Sequence, residues 1–293
     1  MLRRGPGQAT RPAFDPGGSP LPLSAARTVQ LHQAGMSMAL AAASGRRAPP
    51  RGAVVPLATI ALLEVAAFLF LGREDYTFAA PHDIVLALGR ALADGSLPAA
   101  TAQTLSCVLA GLAVGFALGV MAGVALGLTP LLDRLTMVSV ELLRPVPPAA
   151  LIPLMLLIAG FGFQMETTIV AFTTLWPTLV LSRAAIRAVE PGLIEVARAL
   201  EMGTLRRALA IVVPSALLRL FVAFRLTAGI ALTVAVVVEV VANPRGLGYG
   251  MIVAAQTLHP ETALAYLVWI GLLGWGLNAL LSRIEARFLD RFR

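Results

Sequence analysis

The sequence contains no lysine, and only one cysteine and three histidines among 293 residues. Without lysine the chain can build neither a Walker-type phosphate loop, whose Lys reaches the terminal phosphates, nor a Schiff-base site, which needs the amine. Cys107 alone makes no disulfide framework, and His32, His82 and His259 are too scattered for zinc-type ligand spacings, so no metal centre is expected. HExxH and GxSxG are missing and the carboxylates are not grouped, so no catalytic residue and no cofactor site is expected either. Charge is scarce too. Only 13% of residues are charged against 58% hydrophobic, at a mean hydropathy of +0.82, so the apolar content must face lipid.

The apolar residues fall in six runs, 53–71, 104–128, about 135–160, 167–185, 217–241 and 262–281. Crossing a hydrocarbon core takes roughly 20 helical residues. The second run carries no charge and the first only Glu64, whereas the third is interrupted by Arg144-Pro145-Val146-Pro147-Pro148. Prolines there remove backbone donors and break or kink any helix. The fold expected is an all-α membrane protein of about six transmembrane helices. Its 23 arginines against 16 acids leave a net charge of +7, concentrated in tails and short loops, which suits membrane orientation rather than nucleic acid. Seven arginines precede the first run and four follow the sixth. Arg183, Arg187, Arg198, Arg206 and Arg207 separate the fourth from the fifth, and Arg134 and Arg144 lie in the stretch joining the second and third. The opposite loops hold only Arg73, Arg90 and Arg245, so both termini are expected in the cytoplasm.

Residues 1–50 are rich in Pro, Gly, Ala and Arg without apolar periodicity and are expected to be a disordered cytoplasmic leader, ahead of a transmembrane domain at 51–293. Met36 and Met38 leave a later start codon open, and residues up to about 35 are expected to be dispensable.

Gly111, Gly115, Gly119, Gly123 and Gly127 recur every fourth residue and form a stripe that another helix can approach closely, within one bundle or between subunits. Between the fourth and fifth runs, residues 182–215 read as two short helices around a turn. Such a segment, tied to a span at each end, can pass force from a soluble partner or lie passively at the interface. Ionisable groups within or beside the runs are expensive and so draw attention. Arg219 is expected to snorkel, Arg225 to pair with a carboxylate or face an anion path, and Glu239 to serve a gate or packing. Trp176, Trp269, Trp275 and Tyr266 read as belt or packing aromatics.

Glu195-Val196-Ala197, followed by Ile211-Val212-Val213-Pro214 with Pro214 nineteen positions after Glu195, resembles the EAA signature of bacterial ABC importer permeases. The family's glycine falls on Glu201 here, with Gly203 two residues later, so a displaced turn is one expectation. Arg144-Pro145-Val146-Pro147-Pro148-Ala149-Ala150-Leu151-Ile152-Pro153-Leu154 is similar to a stretch of the sulfonate, taurine and nitrate branch. So are Glu239 with Gly246-Leu247-Gly248-Tyr249, and Ala80-Pro81-His82-Asp83-Ile84. The resemblance covers roughly residues 78–293. It implies a permease subunit in the bacterial inner membrane, forming the path for a small anion such as a sulfonate, taurine or nitrate, or for a thiamine-precursor-like compound, and working with a cytoplasmic ABC ATPase dimer, a second permease, expected to be an identical copy, and an extracytoplasmic solute-binding protein. It implies ATPase coupling through Glu195, Ala197, Gly203, Arg206, Arg207 and Pro214, and a gate or path near Arg225, Glu239, Gly246, Gly248 and Tyr249. ATP hydrolysis would then reside on another chain. The alternative is a self-contained ion- or proton-coupled carrier, which should show repeated halves with broken helices.

Overall fold

The computed structural model describes residues 79–291. The leader and the first apolar run with Glu64 lie outside the described residues. Among the described residues all regular structure is helical: α1 (Pro81–Ala93), α2 (Ser96–Leu128), α3 (Pro130–Leu143), α4 (Ile152–Ala159), α5 (Phe163–Arg187), α6 (Pro191–Ala199), α7 (Thr204–Arg207), α8 (Val213–Val241), α9 (Leu247–Gln256) and α10 (Pro260–Arg291). A 3₁₀ turn, Pro148–Leu151, precedes α4, and a π turn, Ala208–Val212, leads into α8.

Local chemistry sets the boundaries. Asp94 accepts the Ser96 N–H at 2.8 Å, and that bond holds its carboxyl below the ordinary range. α2 stops at Thr129 (φ −121°, ψ 94°), since the residue before Pro130 is pushed out of the helical region. The helix runs on from the π turn through Pro214, whose ring carries no N–H, so the regular ladder is interrupted there.

Among the described residues four helices are long and apolar enough to cross a membrane: Ser96–Leu128, Phe163–Arg187, Ala208–Val241 and Pro260–Arg287. They contain four of the six expected runs, each lengthened at one or both ends. The third run differs from a straight span. Its two halves, Pro130–Leu143 and Pro148–Ala159, meet at 87° around Pro145 and Pro147. At 1.5 Å per residue neither half alone traverses the hydrocarbon core.

α2 and α5 run parallel at the centre. The stripe faces Val170, Thr174, Thr178, Ser182 and Ile186, each glycine against the residue at a constant sequence offset. This contact lies within one chain. α8 packs on both helices through Ala228, Ala231, Ala235 and Val238, set against Val108, Leu112 and Ile169. Phe116 and Phe224 meet edge to face at 5.0 Å. Large side chains such as Leu109, Met121 and Leu157 point outward, as they must in a bundle solvated by lipid tails.

Candidate functional site

Two regions collect the polar groups. At the end where α5 gives way to α6, the chain forms the short helical segment anticipated from sequence. Glu195, Val196 and Leu200 are exposed, as are Gly203, Arg206 and Pro214, while Arg207 is half-buried. Ala197, expected on the outer coupling surface with them, is instead fully buried. It is the inward residue of an amphipathic turn, so it seats α6 on the bundle. A cavity of about 330 Å³ lies nearby, lined by Gly127, Ile186, Ile194 and Arg207.

α6 closes with a left-handed residue. Glu201 has φ +51°, and the Met202 N–H reaches back to the Ala197 carbonyl at 3.1 Å, the bond that defines a Schellman ending. The turn is therefore not displaced to Gly203; it stays where the signature carries glycine. A side chain in this conformation costs roughly 1 kcal/mol that glycine does not pay. Glu201→Gly should accordingly raise the thermal midpoint of the detergent-solubilised protein by about 2–4 °C.

An ion cluster braces this end. Asp133, in the first turn of α3 and 5% exposed, accepts Arg183 Nε and, at 2.8 Å, Arg183 Nη2. Arg187 Nη2 adds a bond at 2.6 Å. Arg219 donates to the Ala188 carbonyl at 2.7 Å and so caps the end of α5, where the helix dipole favours a cation.

The second region lies at the opposite end, around Glu239. Its Oε1 accepts the Thr104 hydroxyl at 2.6 Å, its Oε2 accepts the Gly248 N–H at 2.8 Å, and the Leu247 N–H reaches Thr104 Oγ1 at 3.0 Å. The carboxylate therefore sits at the N-terminus of α9, where free N–H groups and the dipole favour an anion. Gly246 has φ +98° and no room for a Cβ, because the carboxyl group of Glu239 occupies that space. A Cβ on Gly248 would lie 2.9 Å from the Glu239 Cβ. Buried beside this clamp, Glu166 accepts the Asn243 side-chain amide, and Cys107 adjoins the Glu166 carboxyl. Tyr249 remains 40% exposed.

Arg225 belongs to neither region. It donates to Asn278 Oδ1 at 2.9 Å and to Glu285 Oε2 at 3.0 Å, joining α8 to α10, and lines a cavity of about 720 Å³ between those helices. Among the aromatics, Trp269 donates to Thr101 Oγ1 at 2.9 Å and Tyr266 is buried, whereas Trp275 is exposed.

Sequence reasoning missed Thr104, Glu166, Asn243 and Asp133. Glu166 and Asn243 flank apolar runs at the same expected side of the membrane, one residue before the fourth and two after the fifth. That shared placement was the available signal. Nothing in the spacing showed that they meet.

A family model described as binding-protein-dependent transport system inner membrane component matches residues 115–293. The chain is 26% identical over 230 residues to the taurine transport system permease protein TauC of Escherichia coli (strain K12), across 77% of this chain and 83% of that one. It is also 26% identical over 239 residues to the putative aliphatic sulfonates transport permease protein SsuC of Bacillus subtilis (strain 168), across 82% and 86% respectively. In fold it is similar to a chain of the MetNI methionine ABC transporter in inward-facing conformations. The TM-score is 0.59 at 20% identity, covering 63% of this chain and 92% of that one.

Proposed function

The chain belongs to the family of binding-protein-dependent transport system inner membrane components, and from that membership we propose that it forms the membrane path of an ATP-driven importer for a small anion. Sulfonates, taurine and nitrate are the solutes in view. The partners in this reading are a cytoplasmic ATPase dimer, a second copy of the chain and an extracytoplasmic solute-binding protein. Both termini and the α6–α7 segment face the cytoplasm, in keeping with the arginines gathered there.

The observation that carries the coupling role is the geometry of α6. It is a short helix tied to two spans, anchored inward by Ala197 and presenting Glu195, Val196 and Leu200 outward. Such an element transmits a push from a docked protein to α5 and α8 without any phosphate site of its own. Glu239, Gly246 and Gly248 serve in this reading as the hinge of the outer gate, with Tyr249 at its surface and Arg225 beside the path.

Purification in mild detergent from the native host should bring an ABC ATPase with the chain. The reconstituted complex with its binding protein should take up taurine, ethanesulfonate or nitrate only while ATP is hydrolysed. Uptake by the purified chain alone in liposomes would contradict the reading and favour a self-contained carrier.

A further inference from the structure

At the α9 end of the bundle an open cavity of about 560 Å³ is walled by α2, α9 and the start of α10. Its size falls within the range of small-ligand sites. We propose that this cavity is a receiving site for a small organic anion with a short apolar chain, and that Arg245 supplies the counter-charge. The proposal rests on the importer reading only for which face of the membrane delivers the solute.

Among the described residues Arg245 is the one that brings a fixed charge to the cavity lining, and none of them brings a carboxylate. Among the described residues Arg245 has no ion-pair partner. Gln103, Tyr249 and Thr257 add hydrogen-bonding groups, while Ala100 and Val253 leave an apolar wall. Together these suit a charged head with a hydrocarbon stub. The N-terminus of α9, otherwise the obvious anion site, is already taken: its first N–H groups bond Thr104 and Glu239. The charge that recognises a ligand must therefore come from Arg245, whose guanidinium fork can pair two oxygens of an anionic head group.

Leu258 has φ +60° because it is the left-handed residue that ends α9: the His259 N–H reaches back to the Ala254 carbonyl at 2.9 Å, the same bond that closes α6 at Glu201. That ending sets Thr257 and His259 on the cavity wall, 3.1 Å apart. Gly246, next to Arg245, rests on the Glu239 carboxyl group, so an anion at Arg245 lies one residue from the clamp that ties α9 to α8.

The full chain in phosphatidylcholine nanodiscs should bind isotopically labelled ethanesulfonate saturably in equilibrium dialysis, with ethylammonium failing to compete. Arg245→Gln should weaken binding about 10- to 100-fold, the range for losing a charge-assisted bond, while Arg245→Lys retains most of it. Both variants should keep the wild-type thermal midpoint, because Arg245 is exposed. Absence of saturable binding to the wild type, equal affinity in Arg245→Gln, or competition by ethylammonium would overturn the proposal. So would loss of binding when phosphatidylglycerol is added, since Arg245 would then serve lipid headgroups. ATPase copurification from the same membranes separates the two readings: kept without anion binding, it overturns this site and leaves the importer standing.

Discussion

Leucine at position 119 should remove the folded protein almost entirely. A Cβ there would lie 2.6 Å from the Thr178 Cβ and 2.8 Å from the Leu175 carbonyl oxygen, and a backbone atom in a helix cannot step aside. The parallel pair α2 and α5 would have to separate, and with it the close contact that runs from Gly111 to Gly127. In lipid no hydrophobic force brings helices together, so packing at small residues is the main source of cohesion and its loss is not recovered elsewhere. We expect a cost above about 3 kcal/mol for Gly119→Leu and about 1–3 kcal/mol for Gly119→Ala, as for overpacked cores. Gly271→Ala is the control, because nothing lies within 4 Å of its added methyl. Monodisperse yield by size exclusion should fall in the order Gly271→Ala, Gly119→Ala, Gly119→Leu. A wild-type yield for Gly119→Leu would mean that the two helices do not touch along this stripe.

Ala197→Asp should uncouple α6 from the bundle while leaving the spans inserted. The alanine is fully buried beneath a helix that exposes Glu195 and Val196, so a carboxylate there must either lose its hydration or lift the helix. Burying an unpaired charge costs several kcal/mol, about 3–5 by analogy with broken buried pairs, and a nine-residue helix held at one face cannot absorb that. ATPase copurification and ATP-dependent uptake should both be lost, with membrane level unchanged. Glu195→Arg tests the outer face of the same helix. Glu195 is exposed, so the reversal should leave stability unaltered and weaken association by about 2–5 kcal/mol if it meets a desolvated cation on the partner. Wild-type copurification and uptake in both variants would place the docking surface elsewhere.

The sequence by itself determined the all-helical class, the long apolar runs and the interruption at Arg144 to Pro148, because hydropathy and proline act over a few neighbouring residues. It also marked the glycine stripe and the α6 segment, since helical periodicity places their residues on one face or the other. Only the tertiary structure decided what those faces meet. The stripe lies on α5 of the same chain, Ala197 points inward where Glu195 points out, and Glu201 takes the left-handed turn that Gly203 was available to take. Asp133 with Arg183, Glu166 with Asn243, and Glu239 with Thr104 and the Gly248 amide come from distant segments or opposite sides of a turn. No local pattern encodes such pairs. In a low-dielectric bundle each buried polar group must find a partner, and which partner it finds depends on how the helices pack.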